Sequence, residues 1–276
     1  MTVMSVHAGL CEWAAALRPS YARDVTLVAA LTTAFAAPWL PARAIALGAR
    51  AGIWMTAVDD WVDAGPAGSA RKIASLEHYR HVAAGADPDA GDPLAVALAG
   101  IAQDIDGQRW GSAVGPLWRQ ACQDTMVGMR FEHESALALE AGLPAPTLDT
   151  YLLHAARSSG VSVTVIPLWA AMDDADLPRC LPALTEAMQH ASAAVRLAND
   201  LTGARRERLE GGVNALAIGV SAEQVSARIT EEVARFEQNC APLTAESYGP
   251  ALALDRFMRL LLRMYQHRDP GEPEPL

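Results

Sequence analysis

Ala57-Val58-Asp59-Asp60-Trp61-Val62-Asp63 closes a stretch, Gly52-Ile53-Trp54-Met55-Thr56, that carries no charge. If this segment is helical, Asp59 and Asp63 lie one turn apart on one face, and Asp60 points roughly 100° away. Carboxylates near a helix C-terminus meet an unfavourable dipole, so compensation is expected, and bound cations would provide it. The plainer alternative is a solvated acidic helix end running into Ala64-Gly65-Pro66. A second segment, Asn199-Asp200-Leu201-Thr202-Gly203-Ala204-Arg205-Arg206-Glu207, favours the metal. Asn199, Gly203 and Glu207 form an i, i+4, i+8 stripe that begins 140 residues after Asp59. Carboxylate and amide oxygens without His or Cys select Mg²⁺ or Mn²⁺ over zinc. Two such stripes suggest facing helices that hold a metal cluster between them, and a substrate that carries phosphate.

The rest of the chain fits a helical frame. Its 276 residues are 51% hydrophobic but only 6% aromatic, a mix that favours helix over sheet. At this length roughly three quarters of the unfolded surface can be buried. A net charge of −10 argues against a nucleic-acid partner. It leaves a phosphorylated substrate open, because bound metals reverse the local sign. Cys11, Cys122, Cys180 and Cys240 form no CxxC pair. Neither structural zinc nor a disulfide framework is expected, and a reducing cytoplasm fits best. No basic stretch followed by an apolar run marks a signal peptide. The apolar run from Val25 to Leu40 contains Pro38 and is too short for a membrane span.

Apolar periodicity, punctuated by Pro and Gly, predicts helices near 6–17, 22–36, 40–63, 70–84, 92–104, 110–140, 147–171, 178–209, 221–240 and 247–267. Gly211-Gly212 reads as the stop signal of the helix that carries the second stripe. Strand signals are almost absent. The expectation is one all-α domain over 1–268, too long for a simple four-helix bundle, with a frayed tail at 269–276.

In the order and spacing of its two motifs, the chain resembles class I terpene synthases over most of its length. The likeness is strongest at Arg196-Leu197-Ala198-Asn199-Asp200 through Glu207, followed by Glu210-Gly211-Gly212-Val213-Asn214. It implies a single helical terpenoid-synthase bundle around a central active-site cavity. It also implies a prenyl diphosphate substrate and Mg²⁺ as cofactor, as three ions with Mn²⁺ as the substitute. The implied metal set is Asp59, Asp60, Asp63, Asn199, Gly203 and Glu207. Gly203 is a departure, because the family carries Ser or Thr there. Glycine offers no side-chain oxygen, and Thr202 is rotated about 100° off the ligand face. Water at the vacant position, with Asn199 and Glu207 as protein ligands, would suit Mg²⁺, which keeps several waters.

Arg157 resembles the family's diphosphate-sensing arginine, followed at Gly160 and Val161 by a helix break whose backbone faces the substrate. Its planar fork pairs bidentately with phosphate oxygens. Arg206 stands where the family has a basic residue reaching the diphosphate. Arg263 and Tyr265, with Arg268, match a C-terminal Arg–Tyr pair imperfectly. Trp54 and Trp169 are candidate cavity walls for a carbocation, with Phe131 behind them, and core packing is the plainer alternative.

The implied reaction is ionisation of an allylic diphosphate followed by cyclisation in a dry cavity. Chain elongation is argued against by the Asn/Gly/Glu second motif and by Lys72 being the only lysine. No DxDD motif for protonation-initiated cyclisation is present. The Arg-Leu-x-Asn-Asp-Leu-x-Gly run resembles small bacterial ent-kaurene-synthase-like enzymes. A C20 copalyl-type diphosphate is therefore expected first, then geranylgeranyl diphosphate, then C15 farnesyl diphosphate. A homodimer fits family habit. A non-catalytic helical binding protein would explain the composition but not the two spaced stripes.

Overall fold

The computed structural model describes residues 3–17, 23–63, 68–210, 212–245 and 248–267. Among these residues there are eleven α-helices and no strand. They are α1 (Val3–Leu17), α2 (Arg23–Ala36), α3 (Ala42–Asp63), α4 (Ser69–Ala83), α5 (Pro93–Asp106) and α6 (Gly111–Glu140). After them come α7 (Leu148–Ala155), α8 (Val161–Ala170), α9 (Leu177–Glu210), α10 (Ala222–Ala245) and α11 (Gly249–His267). The expected stop at Gly211, the turn at 64–67 and the tail from Arg268 lie outside the described residues.

Periodicity gives one helix over 147–171, and the structure has two, with the break at Gly160 where the resemblance implies it. The span 147–171 breaks into α7 and α8, joined by a 3₁₀ turn at Ala156–Ser159 and by Gly160 at φ +76°. Apolar periodicity runs through this break and conceals it. The residue at positive φ is a glycine, which takes that conformation without the Cβ clash.

α3 and α8 form the central pair and run antiparallel. A Cβ on Gly48 would meet Leu168 Cδ2 at 2.7 Å, and one on Gly52 would meet Thr164 Oγ1 at 3.2 Å. One on Gly160 would meet Met55 Sδ at 2.6 Å. Small residues on α3 thus let α8 lie close along its whole contact. Three buried indole N–H groups tie this centre to its neighbours. Trp54 donates to Leu94 O at 2.9 Å, Trp118 to Val163 O at 2.9 Å, and Trp169 to Pro250 O at 3.0 Å.

The main core gathers around this pair. A smaller cluster of Tyr151, Leu152, Ala155, Leu197, Val213, Ala215 and Val225 lies under α7, α9 and α10. All four cysteines are free thiols. No described helix is long and apolar enough to cross a membrane.

α6 crosses the 3₁₀ turn closely at Gly128, where a Cβ would stand 2.7 Å from His154 O and 3.5 Å from Arg157 Cβ. Gly128→Ala should therefore destabilise the protein by about 1–3 kcal/mol, since the nearest obstacle is backbone. Gly100→Ala on α5 meets nothing within 4 Å. It should stabilise by up to about 1 kcal/mol through helix propensity. Urea unfolding of both variants checks the contrast.

Candidate active site

The aspartate-rich turn ends α3. Asp59 is half-buried and Asp60 is exposed, as their angular offset requires. Asp63 is the last residue of α3, and its side chain lies outside the described set. Beside it, Lys72 reaches back from the first turn of α4 and donates to Val62 O at 2.6 Å. Compensation at this helix end, expected from cations, is thus partly internal to the protein.

Arg157 sits in the 3₁₀ turn. Its carbonyl accepts from Thr125 Oγ1 at 2.9 Å, so the backbone is fixed to α6. Its guanidinium is half-exposed and loosely placed, with Nη1 3.7 Å from Asp124 Oδ1. The α3–α8 register brings the turn to the motif. Gly160 packs on Met55, and Asp59 follows Met55 by one helical turn on the same face.

On α9, Asn199 is half-buried and Gly203 is buried. The Thr202 hydroxyl donates back to Ala198 O at 2.9 Å and so does not fill the oxygen position missing at Gly203. Arg206 and Glu207 continue the helix, with side chains outside the described residues. The candidate ligands Asp59, Asp60, Asp63, Asn199 and Glu207 are all oxygen donors, a set suited to a hard divalent cation. Among the described residues no three carboxylate, imidazole or thiol groups converge on one point, and the set is divided between two helices.

Beneath these residues lies a buried ionic network that sequence reasoning missed. Arg196 is 7% exposed and Asp200 0%. The Arg196 Nε–H is shared between Asp200 Oδ1 and Tyr151 Oη, both at 2.9 Å, and the Tyr151 hydroxyl donates to Asp200 Oδ1 at 3.0 Å. Arg196 Nη1 donates to Glu132 Oε2 at 2.9 Å and Nη2 to Val213 O at 3.1 Å. The Ala215 N–H satisfies Asp200 Oδ2 at 3.0 Å, and Ser158 Oγ donates to Glu132 Oε1. Burial pushes the Asp200 carboxyl up from its ordinary range, against the pull of the Arg196 guanidinium and the Ala215 and Tyr151 hydrogen bonds. The network holds Ser158, the neighbour of Arg157, and Asp200, the neighbour of Asn199. An Arg and an Asp four residues apart within the apolar run of α9 was the available signal.

The other candidates fall elsewhere. Trp54 and Trp169 are both 0% exposed with their N–H groups on backbone carbonyls, so neither offers a ring face to open space here. Phe131 stacks on His154 with ring centroids 4.3 Å apart. On α11, Arg263 is exposed and Tyr265 packs half-buried against the main core. An open groove of about 520 Å³ between α6 and α9, near Pro116, Leu181 and Pro182, lies towards the other ends of these helices and contains no candidate residue.

An all-α bundle of this kind, without a strand among the described residues, is the fold of a class I terpene synthase, a carbon–oxygen lyase. The chain belongs to terpene synthase family 2, C-terminal metal binding, whose family model matches residues 50–238. That span holds every candidate metal and diphosphate residue except those on α11. The chain is 28% identical to the ent-pimara-9(11),15-diene synthase of Streptomyces sp. (strain KO-3988), over 96% of this chain and 90% of that protein. Its fold is similar to that of linalool/nerolidol synthase from Streptomyces clavuligerus in complex with 2-fluorogeranyl diphosphate, with a TM-score of 0.74 at 15% identity. The alignment covers 97% of this chain and 95% of that one. Hedycaryol synthase in complex with HEPES shares the fold with a TM-score of 0.68 at 16% identity, covering 96% and 92% of the two chains.

Removing one partner of the Arg196 network leaves a charge buried and uncompensated. Arg196→Met should cost about 3–5 kcal/mol of stability, and Arg196→Met with Asp200→Asn should cost less than the sum of the two single changes. Denaturant unfolding of the singles and the double closes the cycle.

Proposed function

We propose that this terpene synthase is a Mg²⁺-dependent diterpene synthase. It ionises a C20 allylic diphosphate, copalyl-type or geranylgeranyl, and cyclises or rearranges the resulting carbocation. The observation that carries the reading is the α3–α8 register, in which Gly160, just after the Arg157 turn, packs on Met55, one helical turn before Asp59. The ent-pimaradiene synthase relative supports the chain length, and the 2-fluorogeranyl diphosphate bound by the linalool/nerolidol synthase supports a diphosphate ligand.

In this reading Arg157 holds the diphosphate through its planar fork, its backbone kept in place by Thr125 and its head free to turn. Gly160 and Val161, at the N-terminus of α8, contribute backbone N–H donors and the favourable end of that helix's dipole. Arg206 on α9, and Arg263 and Tyr265 on α11, would be the further diphosphate contacts. Asp59, Asp60, Asp63, Asn199 and Glu207 would hold the divalent cations, with water in place of a side chain at Gly203. Bound Mg²⁺, as three ions or Mn²⁺ in their place, would supply Lewis-acid charge against the departing diphosphate. Close packing of α3, α6 and α8 keeps water from the reacting carbons.

Purified protein given Mg²⁺ and, separately, copalyl, geranylgeranyl or farnesyl diphosphate tests this by gas chromatography–mass spectrometry. A cyclic C20 hydrocarbon is expected from one of the first two, lost with chelator and in Asp59→Ala. Arg157→Ala should lower kcat/KM by roughly 10²–10³-fold. Product from farnesyl diphosphate alone would overturn the chain length. Gly203→Ser should retain metal-dependent turnover, and loss of all turnover would count against water at that position.

A further inference from the structure

The chain has one lysine among its 22 Lys and Arg residues, and it is not on the surface. Lys72 is 4% exposed, and its ammonium donates to Val62 O at 2.6 Å. Burying an ammonium costs several kcal/mol unless nearby groups offset it, so its position calls for a partner. The end of its own helix does not offset the charge. Lys72 stands in the first turn of α4, where the macrodipole is positive, and that turn contains no acidic residue.

The offset comes from α3. Val62 O belongs to the last turn of that helix, the negative end of its dipole, and lies between Asp59 and Asp63 in sequence. A lysine suits the place because a compact charge on a four-carbon stem can reach a single carbonyl ten residues back. The charge is felt on α6 as well. Burial, and then the field of Lys72, lowers the affinity of the His133 imidazole for a proton. Arg71, the neighbour of Lys72, stands over the Trp61 ring, Cζ 5.4 Å from the centroid, so the end of α3 faces an exposed guanidinium as well as the buried ammonium.

We propose that Lys72 is a positioning residue for the metal-binding turn. Its buried ammonium, seated on the Val62 carbonyl, fixes the helix end that carries Asp59 and Asp63 and supplies resident positive charge there. Three carboxylates on five residues repel one another, and this charge holds their turn in a helical geometry before cations arrive. The inference rests on Asp59, Asp60 and Asp63 being metal ligands, as proposed above.

The test uses the full chain and Mg²⁺ with inorganic pyrophosphate as probe, followed by calorimetry. Lys72→Met should weaken binding by roughly 10–100-fold, the range for residues that orient metal ligands. Lys72→Arg should recover part of that. Half-saturating Mg²⁺ in turnover should rise by the same factor, with kcat at saturating Mg²⁺ within a few-fold of wild type. In Lys72→Ala, propylammonium should restore affinity and propanol should not, which separates charge from cavity filling. The wild-type protein labelled with [ε-¹³C]lysine provides a readout that needs no variant. Its single lysine signal should move when Mg²⁺ and pyrophosphate are added.

Unchanged Mg²⁺–pyrophosphate affinity in folded Lys72→Met, or a lysine signal that stays put while wild type binds, overturns the assignment of Lys72 alone. A wild-type protein that binds no Mg²⁺–pyrophosphate overturns the metal reading and this assignment together.

Discussion

Close packing between α3 and α8 is the constraint on which the rest of the molecule depends. It rests on missing atoms: Gly48 and Gly52 leave room for Leu168 and Thr164, and Gly160 leaves room for Met55. A protein interior is dense enough that one added methyl along such a seam must displace something. The seam sets more than a distance. Because the helices run antiparallel, the start of α8 is level with the last turns of α3, so the broken turn and the aspartates meet at one end of the bundle. The indole hydrogen bonds of Trp54, Trp118 and Trp169 then lock α3, α6 and α8 to α5 and α11 and to each other.

Electrostatics at the site follows two separate patterns. Around Arg196 and Asp200 the charges are buried but pair with one another, and their hydrogen bonds end on hydroxyl, carbonyl, carboxylate and backbone N–H groups. Such a network contributes specificity of arrangement more than net stability, since desolvation consumes much of the Coulombic gain. At the end of α3 the acidic groups are partly exposed and crowded, and Lys72 and Arg71 bring positive charge beside them. The first pattern makes a rigid floor, and the second leaves anionic oxygens ready for cations. Arg157 stands between them, with its carbonyl bound to α6 and its head loosely placed.

The all-α class and most helix positions were legible, because long apolar periodicities and Pro and Gly breaks are local signals. The helical placement of both stripes was legible for the same reason, since α3 and α9 contain them. The break after Arg157 was not visible to periodicity, because α7 and α8 are both apolar and Gly160 alone marks the change. For Trp54 and Trp169 the sequence leaves cavity wall and core packing both open, since their neighbourhoods do not reveal carbonyls 40 and 81 residues away. The contacts of Lys72 and Glu132 were hidden likewise, since each has a partner brought near only by the fold. Their identities were visible, and their partners were not.

The network around Arg196 also bears on how the chain reaches its native state. Its links join residues 45 and 64 positions apart, at Tyr151 and Glu132, and it is completed by Ala215. Contacts of such separation carry a loop-closure cost before they return anything, and so they tend to form late. During synthesis the aspartate turn and the arginine turn leave the ribosome well before residue 215. The floor beneath them is finished only when that loop arrives, so this end of the bundle is set to be among the last parts to mature.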